Sequence, residues 1–75
     1  MQVRKISIGS DYKSDSMNYT IGQKAFNGKY TIHLIEHSVT SKGYKIYVEN
    51  DNEEVFLWKF FNDNMPISIE YNIDF

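Results

Sequence analysis

The chain contains no cysteine. No disulfide can staple it, and no thiolate can ligate a metal or attack a substrate. It has one proline, Pro66, and four glycines in 75 residues, which leaves no Pro/Gly-rich linker or low-complexity tract. Charge of one sign is also missing: eight Lys and Arg stand against ten Asp and Glu, a net of −2. That balance disfavours duplex nucleic acid, whose affinity rests on many cationic contacts to phosphate. No apolar run approaches the length of a membrane span, and residues 1–10 lack the apolar stretch of a signal peptide. The expectation is a cytoplasmic chain with no membrane partner.

Catalytic signatures are absent too. There is no Gly-rich phosphate loop, no paired carboxylates on a recognisable scaffold, and no spacing that joins Ser, His and Asp. The reading is therefore non-enzymatic, with no cofactor and no catalytic residue. Nothing in the residues states an activity; they describe a small binding domain.

What is present is alternation. Residues 67–75 place Ile67, Ile69, Tyr71, Ile73 and Phe75 on one parity and Ser68, Glu70, Asn72 and Asp74 on the other. Successive side chains of a strand point to opposite faces, so this is a strand buried on one side. Residues 55–61 differ. Val55, Leu57 and Phe61 share a parity with Lys59, and Phe56, Trp58 and Phe60 fill the other, so both faces are apolar. Such a strand lies between two layers or meets something outside the monomer. With residues 62–66 as the connection, the two runs form a hairpin setting Phe61 against Ile67, Leu57 against Tyr71 and Val55 against Ile73. That register gathers Phe56, Trp58 and Phe60 on one face, against Ser68, Glu70 and Asn72.

Upstream, residues 3–9 alternate weakly and read as a short strand, and the polar residues 10–16 as a mobile loop. Asn27-Gly28 predicts a two-residue type I′ turn between residues 19–26 and 29–37. Ala25 then faces Tyr30, Gln23 faces Ile32 and Ile21 faces Leu34 on the core side. Thr20, Lys24, His33, Ile35 and His37 take the reverse side. Residues 38–42 make a second turn ending at Gly43, followed by a strand over 44–49. The polar turn 50–53 should place Val48 opposite Val55 and Ile46 opposite Leu57, with Tyr47 beside Phe56, Lys45 beside Trp58 and Glu49 against Glu54. The chain is thus expected to be all-β, one domain over residues 1–75. The architecture is a small antiparallel meander of five to six strands, a closed or partly open barrel or sandwich.

His33 and His37 are a possible metal pair only on a helix. On a strand they stand about 13 Å apart, too far to share one ion, so no metal site is assigned. The candidate binding face is aromatic: Trp58, Phe56, Phe60 and Tyr47, with Lys45, His33 and Glu70 around it, Trp58 as anchor. The competing structural reading is a second core layer, covered by residues 10–16 or by the first strand. So short a chain buries only about 60–65% of its unfolded surface, and with no disulfide a homo-oligomer is the expected remedy. A protein target and a nucleotide-like ligand are the other partners considered.

No motif identifies a family. In overall character (tiny, Cys-free, rich in aromatics and Asn) the chain resembles the accessory proteins of tailed phages. The resemblance implies a role in inhibiting or sequestering a host component in the host cytoplasm, through the aromatic face and the C-terminal hairpin. The alternative is a sponge for nucleotides or single-stranded nucleic acid, with bases stacked on Trp58 and Phe60 inside an oligomer.

Overall fold

The computed structural model describes residues 3–9 and 17–71. Among them every regular element is a strand: β1 (Val3–Ile8), β2 (Met17–Thr20), β3 (Lys24–Ala25), β4 (Tyr30–Ser38), β5 (Gly43–Glu49), β6 (Val55–Asn62) and β7 (Ile67–Tyr71). The expected all-β antiparallel meander is what the chain forms, with the second strand divided in two. β2-β1-β7 form one sheet and β3-β4-β5-β6 the other.

The division has a local cause. Gly22 holds a φ of +88°, which costs glycine nothing and most other residues a steric clash. The chain turns there and changes sheets. On one side Ile21 donates its N–H to the Arg4 carbonyl of β1. On the other, Gly22 and Gln23 exchange backbone bonds with Ile32 of β4. The expected Ala25–Tyr30 and Gln23–Ile32 pairings are present, but Ile21 has left β4 and does not reach Leu34. The loop is also longer than expected: Phe26, Asn27 and Gly28 all have positive φ, so residues 26–29 bridge the strands.

The core is aliphatic. Val3, Ile6 and Ile8 of β1 meet Ile32 and Ile35 of β4 and Ile46 and Val48 of β5, all buried. Burying a side chain of this size stabilises a fold by about 1.5–3 kcal/mol, so two layers of Ile and Val carry the domain. Tyr19, Tyr30, Tyr44, Trp58, Phe61, Ile67 and Ile69 are partly buried around them.

Two expected registers are corrected. β7 does not form a hairpin with β6; it pairs with β1, setting Ile67 against Ile8 and Ile69 against Ile6. Alternation specified the buried face of β7 but not its neighbour, and β1 offers the same aliphatic complement. Phe61 consequently stands opposite Tyr44, not Ile67. Residues 72–75, and with them Ile73 and Phe75, lie outside the described residues, as does the 10–16 loop.

The second correction concerns β4, β5 and β6. At His33 the β4–β5 register shifts, so Ile32 opposes Val48 while Leu34 opposes Tyr47 and Ile35 opposes Ile46. The bulge reverses parity, which buries Ile35 and moves Leu34 to the outer face. Between β5 and β6, Glu49 opposes Val55 and Val48 opposes Phe56, one residue off the expected pairing. The turn explains it. Asn50 accepts from the backbone of Asn52 and Glu54 through its Oδ1 and closes a loop back to Glu54 through its own N–H, with Glu53 at a φ of +63°. Glu54 is thereby used in the turn, and Glu49 faces Val55 instead of a second carboxylate.

Gly43 marks a close approach. A Cβ there would lie 2.5 Å from the Phe60 ring and closer still to the Phe61 carbonyl. Gly43→Ala should therefore destabilise the domain by about 1–3 kcal/mol, the usual cost of overpacking, read as a lower urea midpoint. Because the backbone carbonyl stays, adding Phe60→Ala should not restore it.

Candidate functional site

β6 is the element with composition and placement at odds. It reads VFLWKFFN, yet six of its eight residues, Trp58 and Phe61 apart, are polar or strongly exposed, and Val55, Phe56, Leu57 and Phe60 are 46%, 37%, 48% and 41% exposed. Its inner edge is bonded to β5. No strand among the described residues pairs with its outer edge.

The β5–β6 register shifts again between Ile46 and Tyr47, where Trp58 is the extra residue. A bulge places two successive side chains on one side of the strand. Here Trp58 and Lys59 share the inner side, with the Lys59 Nζ 4.8 Å from the Trp58 ring centroid. The bulge thus divides the anticipated aromatic ladder. Trp58 packs toward the core, edge-on to Tyr19 at 5.8 Å and to Tyr30 at 6.1 Å. Phe56 follows Val48 to the same side and meets Tyr30 at 5.3 Å. Phe60 alone emerges on the outer face, against Lys45. The single face holding Phe56, Trp58 and Phe60 does not exist.

In its place is a different outer surface. Leu34, Tyr47 and Leu57 stand in one row across β4, β5 and β6. Phe60 lies next along β6, and Val55 closes the patch beside Glu49. Of the seven residues anticipated for a site, Tyr47, Lys45 and Phe60 are gathered here. His33 is exposed at the bulge next to Leu34. Trp58 and Phe56 belong to the interior side. Glu70 is on the other sheet, paired with Lys5 and bridged by the Arg4 guanidinium at 2.6 Å. Leu34, Leu57 and Val55 escaped the sequence reading. Each sits in an apolar run, but the bulge at His33 decides which side Leu34 takes, and the register of the 50–54 turn decides it for Val55 and Leu57.

The outer face of the first sheet is polar by contrast. Lys5, Ser7, Asn18, Thr20, Ser68 and Glu70 share it, with Ser7 donating to Asn18 Oδ1 at 2.6 Å. Its ion pairs are exposed and stabilise little. One outer face is thus built for water, and the other presents apolar side chains beside an open strand edge.

Chemistry is sparse around either face. No group of three His, Cys, Asp or Glu side chains among the described residues could hold a metal ion. His37 stacks on Tyr44 at 4.7 Å, away from His33. No helix among the described residues is long and apolar enough to cross a membrane. No family model matches the chain, and no curated protein or solved structure is significantly similar to it.

Among the described residues, Tyr19 and Tyr44 have phenols whose environment favours the protonated form. Burial pushes Tyr19 above its ordinary value of 10.0, and burial, then the neighbouring Tyr71 and Asp63, does the same to Tyr44. Each holds its proton more tightly folded than unfolded. The stability this contributes is complete below about pH 10 and is lost as pH rises through the folded values. Urea midpoints should fall above about pH 10, and Tyr19→Phe should flatten that fall.

The two sides of β6 should also respond differently to truncation. Trp58→Ala should cost about 2–4 kcal/mol of folding stability, since its ring is part of the packed interior. Leu57→Ala should change stability by no more than about 0.5 kcal/mol. Chemical denaturation of both variants compares them directly.

Proposed function

We propose that this protein is a non-catalytic binding module whose contact element is β6, through its outer face and its open edge. The observation that carries the reading is the exposure of Val55, Leu57 and Phe60 beside Tyr47 and Leu34. A strand with apolar side chains on both sides reads as an interior strand; here it lies at the border of its sheet. Large apolar side chains grouped with Tyr at such a position are the makings of an interface core, and Lys45, Glu36 and Glu49 supply a polar rim. The partner is a second copy or a protein target. The resemblance in overall character to the accessory proteins of tailed phages extends the proposal to capture of a host protein and interference with it.

A second reading has its own observation. Phe26 is 54% exposed, stacks on Tyr30 at 5.2 Å and has the Lys29 Nζ 5.6 Å from its ring. With the exposed Phe56 it forms a shelf on which a base could stack. The place differs from the anticipated Trp58 and Phe60. Glu49, Asp51, Glu53 and Glu54 lie at the same end of the sheet, and their field opposes a phosphate. This reading ranks second.

Photo-crosslinking separates the two outer faces. A photoreactive phenylalanine in place of Leu57 should give discrete adducts in the native host or in concentrated solution. The same group in place of Ser68, on the polar sheet, should give few. Equal yields at both positions would remove β6 as the contact element.

A further inference from the structure

We infer that the open edge of β6 is completed by the β6 edge of a second copy, the two strands running antiparallel about a two-fold axis. The inference rests on the reading of β6 as the contact element and names its occupant. Three observations carry it: the first favours the same chain over a foreign one, the second sets the orientation, and the third places the contact on the strand edge.

The first is self-complementarity. An isologous contact requires one surface to match itself, with each residue meeting its partner twice. β6 presents apolar side chains on both sides of its edge, Leu57 and Phe60 outward and Phe56 inward, with similar partial exposure. A second β6 extends both sides at once. Pairing Leu57 with Phe60 and Phe56 with Phe61 keeps outer side chains against outer and inner against inner across the bulge. A slip of one residue in either direction sets outer against inner.

The second is the distribution of charge. The end of the sheet at the start of β6 carries Glu49, Asp51, Glu53 and Glu54 on β5 and the turn into β6. Lys24 and Lys29 of that end stand on β3 and its loop, the far side of the sheet from β6. The other end carries Lys42 and Lys45 with Glu36 and Asp63, the Asp63 N–H donating to the Lys42 carbonyl. Parallel strands would stack the four carboxylates of one copy on those of the other. Antiparallel strands bring them to the end where charge is balanced, so charge selects the orientation that a two-fold axis produces.

The third is the small size of the patch. Four side chains 37–48% exposed leave roughly 300 Å² of apolar surface per copy, against about 800 Å² per partner in a standard interface. The strand's backbone bonds must supply part of the association, which is why the edge and not the face alone is the contact. Lys59 is the usual guard of such an edge. It is drawn inward over Trp58, clear of the outer row. The product is one sheet continuous through both copies, held weakly, with dissociation in the micromolar range or above.

The test is sedimentation of the full chain from micromolar to millimolar concentration, with amide hydrogen exchange at both extremes. The expected result is a rise to twice the 8.9 kDa chain mass, with at least tenfold slower exchange in residues 55–62 and no change in residues 67–71. Leu57→Lys should abolish the rise, and Val55→Lys should weaken it if Leu57→Lys proves unfolded by circular dichroism. A monomer at every concentration overturns the inference. So does a dimer whose β6 amides exchange as in the monomer. Either result leaves the crosslinking contrast between positions 57 and 68 intact, so the occupant can fail while the contact element stands.

Discussion

Ile6 and Ile8 are wholly buried, and the strand that carries them is occupied on both edges, by β2 and by β7. The rest of the molecule follows from that pairing. Because β7 completes the sheet of β1, it is not available to β6, and the second sheet ends in an apolar strand. Had β7 folded back on β6, its Ile67 and Ile69 would have had no place beside Ile8 and Ile6, and the layer against Ile32 and Ile46 would be incomplete. The exposed strand is thus a consequence of where the aliphatic complement of β1 was found.

Register shifts do the remaining work. They occur near Arg4, at His33 and at Trp58, and each reverses which side chains face inward beyond it. At His33 the effect is to bury Ile32 and Ile35, three positions apart, in one layer. At Trp58 the effect is to keep Lys59 on the inner side with the tryptophan and to move Phe60 to the outer one. The same bulges bend the sheet, which lets four strands curl over three in so short a chain. The price of that curl is the loss of strict alternation in β4 and β6.

Polarity then distinguishes the two outer surfaces. The face of the β2-β1-β7 sheet is covered by hydroxyls, amides and an ion pair, all able to bond water. The row Leu34, Tyr47, Leu57 on the other sheet is not. Tyr19 shows how the interior was closed around this asymmetry. Its ring meets Trp58 and Phe61 across the two sheets, and the burial that raises its pKa is the burial that holds β6 against the core on one side only.

Much of the architecture was legible in the residues. Strand periodicity located six runs, Asn27-Gly28 and Gly43 marked turns, and the parity of Ile67 and Ile69 named the buried side of the last strand. These are local properties, written in alternation and in backbone conformations that few residues adopt. Non-local choices were not legible. Whether Ile67 lies beside Phe61 or Ile8 depends on which of two equally apolar partners completes the core, and alternation is silent on that. Whether Leu34 and Phe60 face solvent depends on single extra residues in β4 and β6, and no residue type announces a bulge. The sequence by itself determined that one strand would be apolar on both sides; only the tertiary structure decided that this strand would be the border of a sheet.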